Sequence, residues 1–236
     1  MSVSVDTRVT PSLHPRNIPE IEGYDDDTKV FLGPVETAFS GAYEGIRTVH
    51  DARAAAALNP TWNDAQKLIE VQGLADKVFA RAAREFDSVN SALGRSISAL
   101  EQELSAPVVA KAGLGIAAEI RAHVKGMETS ERMAFIQSAI RRGDESTVSS
   151  VLGAPSYLSG IEDETREAYT RLWHERAAPM TAKKLTALKA AQDLIGKRSG
   201  LLFTELQKAV GMPAAKVKAL RDAKSEAERA FLLAHG

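Results

Sequence analysis

From Asn59-Pro60 to Ala106 the chain runs without a further proline, and along it apolar residues recur at Val71, Leu74, Val78, Ala82, Phe86, Val89, Leu93, Ile97, Leu100 and Leu104. The steps of three and four average about 3.67 residues, close to the 11-residue repeat of a straight or slightly right-handed seam and away from the heptad of left-handed coiled coils. Asn59 offers a capping side chain and Pro60 a first-turn proline. A helix of about 45 residues would be a rod roughly 65 to 70 Å long. This element predicts an all-α, elongated helical bundle with one long central helix. Val71, Leu74, Val78, Phe86, Val89, Leu93, Ile97, Leu100 and Leu104 are its packing seam, toward other helices or toward other copies of the chain.

The remaining sequence also reads as helices. Pro34 to about Leu58 forms a first helix with Val35, Phe39, Ala42, Ile46 and Val49 on one face, and Gly41 and Gly45 on it permit close approach of a neighbour. Pro107 is expected to open a helix that Gly126 stops. Thr129 caps the next, stopped by Gly143, and Asp144 caps another, stopped by Gly153. Ser159 and Glu162 have capping-box spacing ahead of a helix to Pro179. A long helix is expected from Thr181 to Val210, with a terminal one after Gly211 and Pro213. Pro11, Pro15 and Pro19 give residues 1–30 the character of a Pro-rich extended N-terminal arm, and Val3 and Val5, alternating with serines, could add to a sheet edge. The expected divisions are this arm, a helical hairpin with the rod over 31–106, a short-helix subdomain over 107–180 and a basic helical hairpin over 181–236.

Aromatic residues make up only 6% of the chain, so its core must come from Leu, Ile, Val and Ala, packed in thin helix interfaces. With no cysteine, disulfides, thiolate metal sites and cysteine nucleophiles are excluded. No stretch approaches 18 uninterrupted apolar residues and the N-terminus has no continuous apolar signal region, so neither a Sec-type precursor nor a membrane-spanning segment is expected.

No catalytic constellation emerges, and an enzyme is not expected. His14, His50, His123, His174 and His235 fall in five different segments, without the spacing of zinc helices. Ser159 before Gly160 lacks the strand-to-helix context of a nucleophile elbow. Asp25, Asp26 and Asp27 lack the alternating ligands of an EF-hand loop and read as a solvated turn. Gly113 to Glu119 has the wrong spacing for a phosphate loop, and its glycines read as close-packing positions inside a helix. No catalytic residue, metal site or cofactor is expected.

Charge is uneven along the chain. Residues 1–60 carry five basic against nine acidic residues, and residues 176–236 carry twelve against five. The basic end invites a non-specific nucleic-acid contact through Lys183, Lys184, Lys197, Arg198 and Lys208. Residues 201–223 outline two helices about a Gly-centred turn, but the second begins Ala-Ala, with no side chain placed to read bases.

The block AAEIRAHVKGMETSERMAFIQSAIRRGDESTVSSVLGAPSYLSGI, residues 117–161, resembles helical proteins of unknown function encoded among tailed-bacteriophage and prophage structural genes. The likeness lies in an E-I-R-A helix, an S-E-R helix ending in R-R-G-D, and V-L-G-A-P-x-x-L-S-G. It covers about a fifth of the chain. The resemblance implies a virion component, such as an internal capsid, ejection or head-tail protein, present in multiple copies with other virion proteins as partners, and it carries over no catalytic residue. The other reading is a cytoplasmic bacterial adaptor or nucleic-acid-associated protein that uses the basic C-terminal region.

Overall fold

A computed structural model of the chain describes residues 4–113 and 115–234. Val3 of the alternating valines, Leu114 of the glycine stretch and His235 lie outside the described residues. Among the described residues the fold is all-α, with no strand. Ten α-helices follow in order: α1 (Lys29–Ala57), α2 (Asp64–Lys111), α3 (Ala117–Gly126), α4 (Thr129–Arg142), α5 (Glu145–Leu152), α6 (Ser156–Ser159), α7 (Asp163–Ala177), α8 (Pro179–Arg198), α9 (Leu201–Val210) and α10 (Ala214–Ala234). No helix among the described residues is long and apolar enough to cross a membrane.

The Pro-rich arm winds into two 3-10 turns, Pro11–Leu13 and Pro15–Asn17, instead of staying fully extended. Each proline starts its turn, where a missing N–H costs nothing. The side chains of Thr10 and His14 accept the backbone N–H groups of Ser12 and Arg16 at 3.4 and 3.0 Å. Val5 is 62% exposed and belongs to no strand.

Two prolines expected to open helices lie inside them. Pro34 is in α1 and Pro107 in the last turns of α2. Each deprives the carbonyl four residues earlier of its donor, but that residue is exposed, Val30 at 71% in the first case, so water can serve the orphaned oxygen. The long helix begins later than Asn59-Pro60 suggested. Asn59 turns its side chain to Thr61, and Asn63 caps α2 by accepting the N–H of Gln66 at 2.8 Å. The helix expected from Thr181 to Val210 is two, α8 and α9, broken at Ser199-Gly200.

The chain forms two compact units. Unit 1 runs to Ala92 and resumes at Ala190; unit 2 is Leu93–Lys189. Both boundaries fall inside helices, α2 and α8.

In unit 1, Val35, Phe39, Ala42, Ile46 and Val49 of α1 are fully buried, as their spacing predicts. They meet Val71, Ala75, Ala82 and Phe86 of α2 and Leu202, Leu206, Ala209 and Val210 of α9 in one core, where Phe39 and Phe86 meet edge to face at 5.1 Å. Gly45 is the close approach: a Cβ there would lie 2.6 Å from Val78 Cγ1. In unit 2, Val108, Val124, Ile136, Val148, Val151, Tyr169 and Trp173 form the core of the short helices. The α2 stretch Leu93, Ile97, Leu100 and Leu104 is also buried there.

Candidate functional site

The most developed polar cluster lies in unit 1, where the arm meets α1 and α9. The backbone N–H of Asp6 donates to the Tyr43 hydroxyl at 2.7 Å, and that hydroxyl donates back to the Asp6 carbonyl at 3.0 Å. The Asp6 carboxylate accepts from Arg8 at 2.7 Å and Arg47 at 3.2 Å, and Arg8 also reaches Asp51 at 2.7 Å. Hydrogen bonds from the side chain and backbone of Arg8 hold Asp6 well below the usual carboxylate range. The same pairing raises Arg8.

Beyond this fork, Val9, Leu13 and Ile18 enter the core, and the backbone between them is held at Thr10 from α9 and at Ser12 from α8. Glu205, buried on α9, accepts the Thr10 N–H at 2.9 Å and also pairs with Lys208. Arg198 donates to the Ser12 carbonyl at 2.8 Å. Two imidazoles complete the cluster. His14 lies edge-on to Tyr43 at 4.7 Å, and burial, reinforced by Arg8, pushes His50 below its ordinary value. The Nε2 atoms of both are buried without a partner. The arrangement clamps a segment.

The basic residues of the nucleic-acid reading fall in both units. Lys183 and Lys184 belong to unit 2, and Lys197, Arg198 and Lys208 to unit 1. Lys197 pairs with Asp193 at 2.6 Å, Arg198 holds the arm and Lys208 neutralises Glu205. Of the seam residues, Val71, Phe86, Leu93, Ile97, Leu100 and Leu104 are buried by the chain itself, while Leu74, Val78 and Val89 are half-buried. Ala75, missed because alanine is abundant throughout, occupies the seam where Leu74 was expected. Asp6, Tyr43 and Glu205 were also missed; the one readable signal was Glu205, a carboxylate beside the apolar stripe Leu202, Leu206 and Ala209.

Residues 117–161 make up much of unit 2, and several of them tie helix ends together. Arg132 donates to the carbonyls of Val124, Lys125 and Met127 at 3.0, 3.1 and 2.8 Å, and to that of Gly160. Arg121 donates to Ala112 and Ser150 carbonyls at 2.6 and 3.1 Å. Gly143 and Gly160 take the left-handed conformation after α4 and α6, and Asp144 caps α5 by accepting the Thr147 N–H. Gly153 gives room: a Cβ would lie 2.5 Å from the Val108 carbonyl oxygen.

Two expectations about this block are corrected. Ser159 ends the short helix α6 with its hydroxyl buried and unpartnered, and Glu162 is the N-cap of α7, so no capping box forms. Gly113 and Gly115 lie in the turn between α2 and α3, where a Cβ would meet nothing; Gly115 is there for its φ of +55°.

No group of three metal-ligating side chains occurs among the described residues. Two grooves lie in unit 1, one of about 630 Å³ flanked by Arg81, Arg84 and Glu85, the other of about 350 Å³ walled by Ala52, Ala55, Ala56, Trp62, Val71 and Leu74. Comparison with family models, curated proteins and solved structures finds no match.

Proposed function

We propose that the chain is a structural or assembly protein that acts by helix packing in multiple copies, as a component of a tailed-phage particle. The observation that carries this reading is the use made of the polar residues. Asp6 (to Arg47), Arg8 (to Asp51), Glu205 and Arg198 in unit 1, and Arg121 and Arg132 in unit 2, each fix one chain segment to another. Rigidity of this kind suits a part that must hold its shape while neighbours bind to it. The resemblance of residues 117–161 supplies the setting, and Lys197, Arg198 and Lys208, being engaged within the chain, give the nucleic-acid reading little support.

The test is quantitative mass spectrometry of density-purified particles from cells that encode the chain. Many copies per particle are expected. Recovery of the chain only outside particles would overturn the assignment.

A further inference from the structure

One exposed stripe of α2 carries cations that the fold itself does not use. Lys77, Arg81, Arg84, Ser88 and Ser91 follow one another at steps of four and three, which places them within about 40° of a single line along the helix. All five are exposed and belong to unit 1. Among the described residues, Lys77 and Arg81 have no hydrogen bond or ion pair, and Arg84 donates only to the Ala80 carbonyl of its own helix, at 3.0 Å. No carboxylate interrupts the stripe. Helical geometry turns Asp76 and Asp87 to one side of it and Glu85 to the other, and Asp76 is already paired with Arg221. Arg81 and Arg84 also wall the open groove of about 630 Å³, with Pro34 and Thr37 of α1 opposite and Glu85 as the one carboxylate of the lining. The heads of Arg81 and Glu85 lie over Gly41 of α1, with Nη2 at 3.8 Å and Oε2 at 3.4 Å from the place of a Cβ there.

We propose that this stripe is a contact for the phosphate backbone of a nucleic-acid duplex, bound without reading its bases. Charge complementarity selects the partner. The three cations climb the helix at steps of about 6 and 4.5 Å, so each can meet a separate phosphate. The guanidinium forks of Arg81 and Arg84 match phosphate oxygens two at a time, and the Ser88 and Ser91 hydroxyls add neutral donors of the kind that hold a protein in register on a duplex. A duplex is favoured over a single strand because the stripe has no aromatic side chain on which an unpaired base could stack. It is favoured over an acidic protein because the stripe has no large apolar residue, the usual anchor of a protein interface. Lys197, Arg198 and Lys208, the nearest rivals in unit 1, are engaged within the chain, whereas Lys77 and Arg81 are not. The inference goes beyond the assembly reading and does not depend on it.

The experiment is fluorescence anisotropy of a labelled DNA duplex of about 20 base pairs, titrated with the full chain at roughly 20 to 200 mM KCl. The logarithm of the binding constant should fall with that of the salt concentration at a slope of about −2 to −3, as three cations opposed by one carboxylate require. Lys77→Gln, Arg81→Gln and Arg84→Gln together should weaken binding at least about 30-fold at the lowest salt and flatten the slope. These positions are exposed, so the triple variant should keep wild-type circular dichroism and melting. Glu85→Gln should tighten binding and steepen the slope by about one. Removing three charges elsewhere, by Lys197→Gln, Lys216→Gln and Lys218→Gln, should leave affinity within about twofold. An equal loss in both triple variants would overturn the proposal, because net charge alone would then explain the attraction. Absence of duplex binding at the lowest salt would overturn it too, and so would displacement of the duplex by poly-glutamate at equal charge, which would identify an acidic protein as the partner.

Discussion

Glu205 of α9 accepts the backbone N–H of Thr10 at 2.9 Å, joining positions 195 residues apart in sequence. Glu205 is 4% exposed, and its second oxygen faces Lys208, so the carboxylate is satisfied on both sides. Glu205→Ala removes both bonds and leaves the Thr10 N–H without its acceptor, a loss of about 2 to 3 kcal/mol. Glu205→Gln keeps an acceptor and should cost less. Urea melts give the ordering, and limited proteolysis should show earlier cleavage after Arg8 and Arg16 in the alanine variant. Equal melting of all three proteins would remove Glu205 from the clamp.

Acid should loosen the same region through His50. Burial and Arg8 lower its folded pKa below 6.5, so the unfolded chain binds the proton more readily. The stability held by neutral His50 is therefore complete above pH 6.5 and declines as pH falls through that value toward the folded pKa. Asp6 stays ionised over this window, because its folded pKa is lowered from 3.8, and its contribution fades only below the ordinary carboxylate range. Melting temperature should fall from pH 7 to pH 5, and His50→Gln should flatten that slope relative to the wild type. His174, lowered chiefly by burial, adds a separate slope that His50→Gln leaves intact.

The two glycine classes should separate on substitution. Gly153→Ala places a methyl 2.5 Å from a backbone oxygen of α2 and 2.8 Å from Ala112 Cβ, neither of which is the end of a flexible side chain. A destabilisation of about 2 to 4 kcal/mol is expected. Gly113→Ala meets open space with no left-handed φ, so it should be neutral or stabilise by about 0.5 kcal/mol through the unfolded state. Chemical denaturation of the two variants checks the pair. A Gly153→Ala protein as stable as the wild type would show that α5 does not sit tightly on the end of α2.

What could be read in the sequence, and what could not, divides along contact range. The α1 face and the 11-residue recurrence of α2 are local periodicities. The recurrence appears in the structure as Val71, Ala82, Leu93 and Leu104, with Ala75, Phe86, Ile97 and Val108 beside them, all buried. The clamp on Asp6 depends on Tyr43 and Arg47, and that on Thr10 on Glu205, partners 37 to 195 residues away that no spacing rule connects. Glycine was ambiguous for another reason. Its lack of a Cβ serves close approach at Gly45 and Gly153 but a left-handed turn at Gly115, and only the backbone angle distinguishes the two. Proline misled at Pro34 and Pro107 because a helix tolerates it wherever the carbonyl one turn back faces water.

Arg132 provides the sharpest test of the reading that residues 117–161 are scaffold. Its guanidinium spreads over carbonyls at the end of α3 and after α6, sites that a single ammonium cannot reach together. Arg132→Lys should therefore destabilise unit 2 by about 2 kcal/mol, and Arg132→Met by about 3 kcal/mol, because the orphaned carbonyls lose a charge-assisted donor. Amide exchange should quicken first at the α3 end, near Val124 and Met127, with the arm and α1 little changed. If Arg132→Lys matched the wild type in stability and exchange, the fork would contribute nothing, and this arginine would have to be kept for a partner.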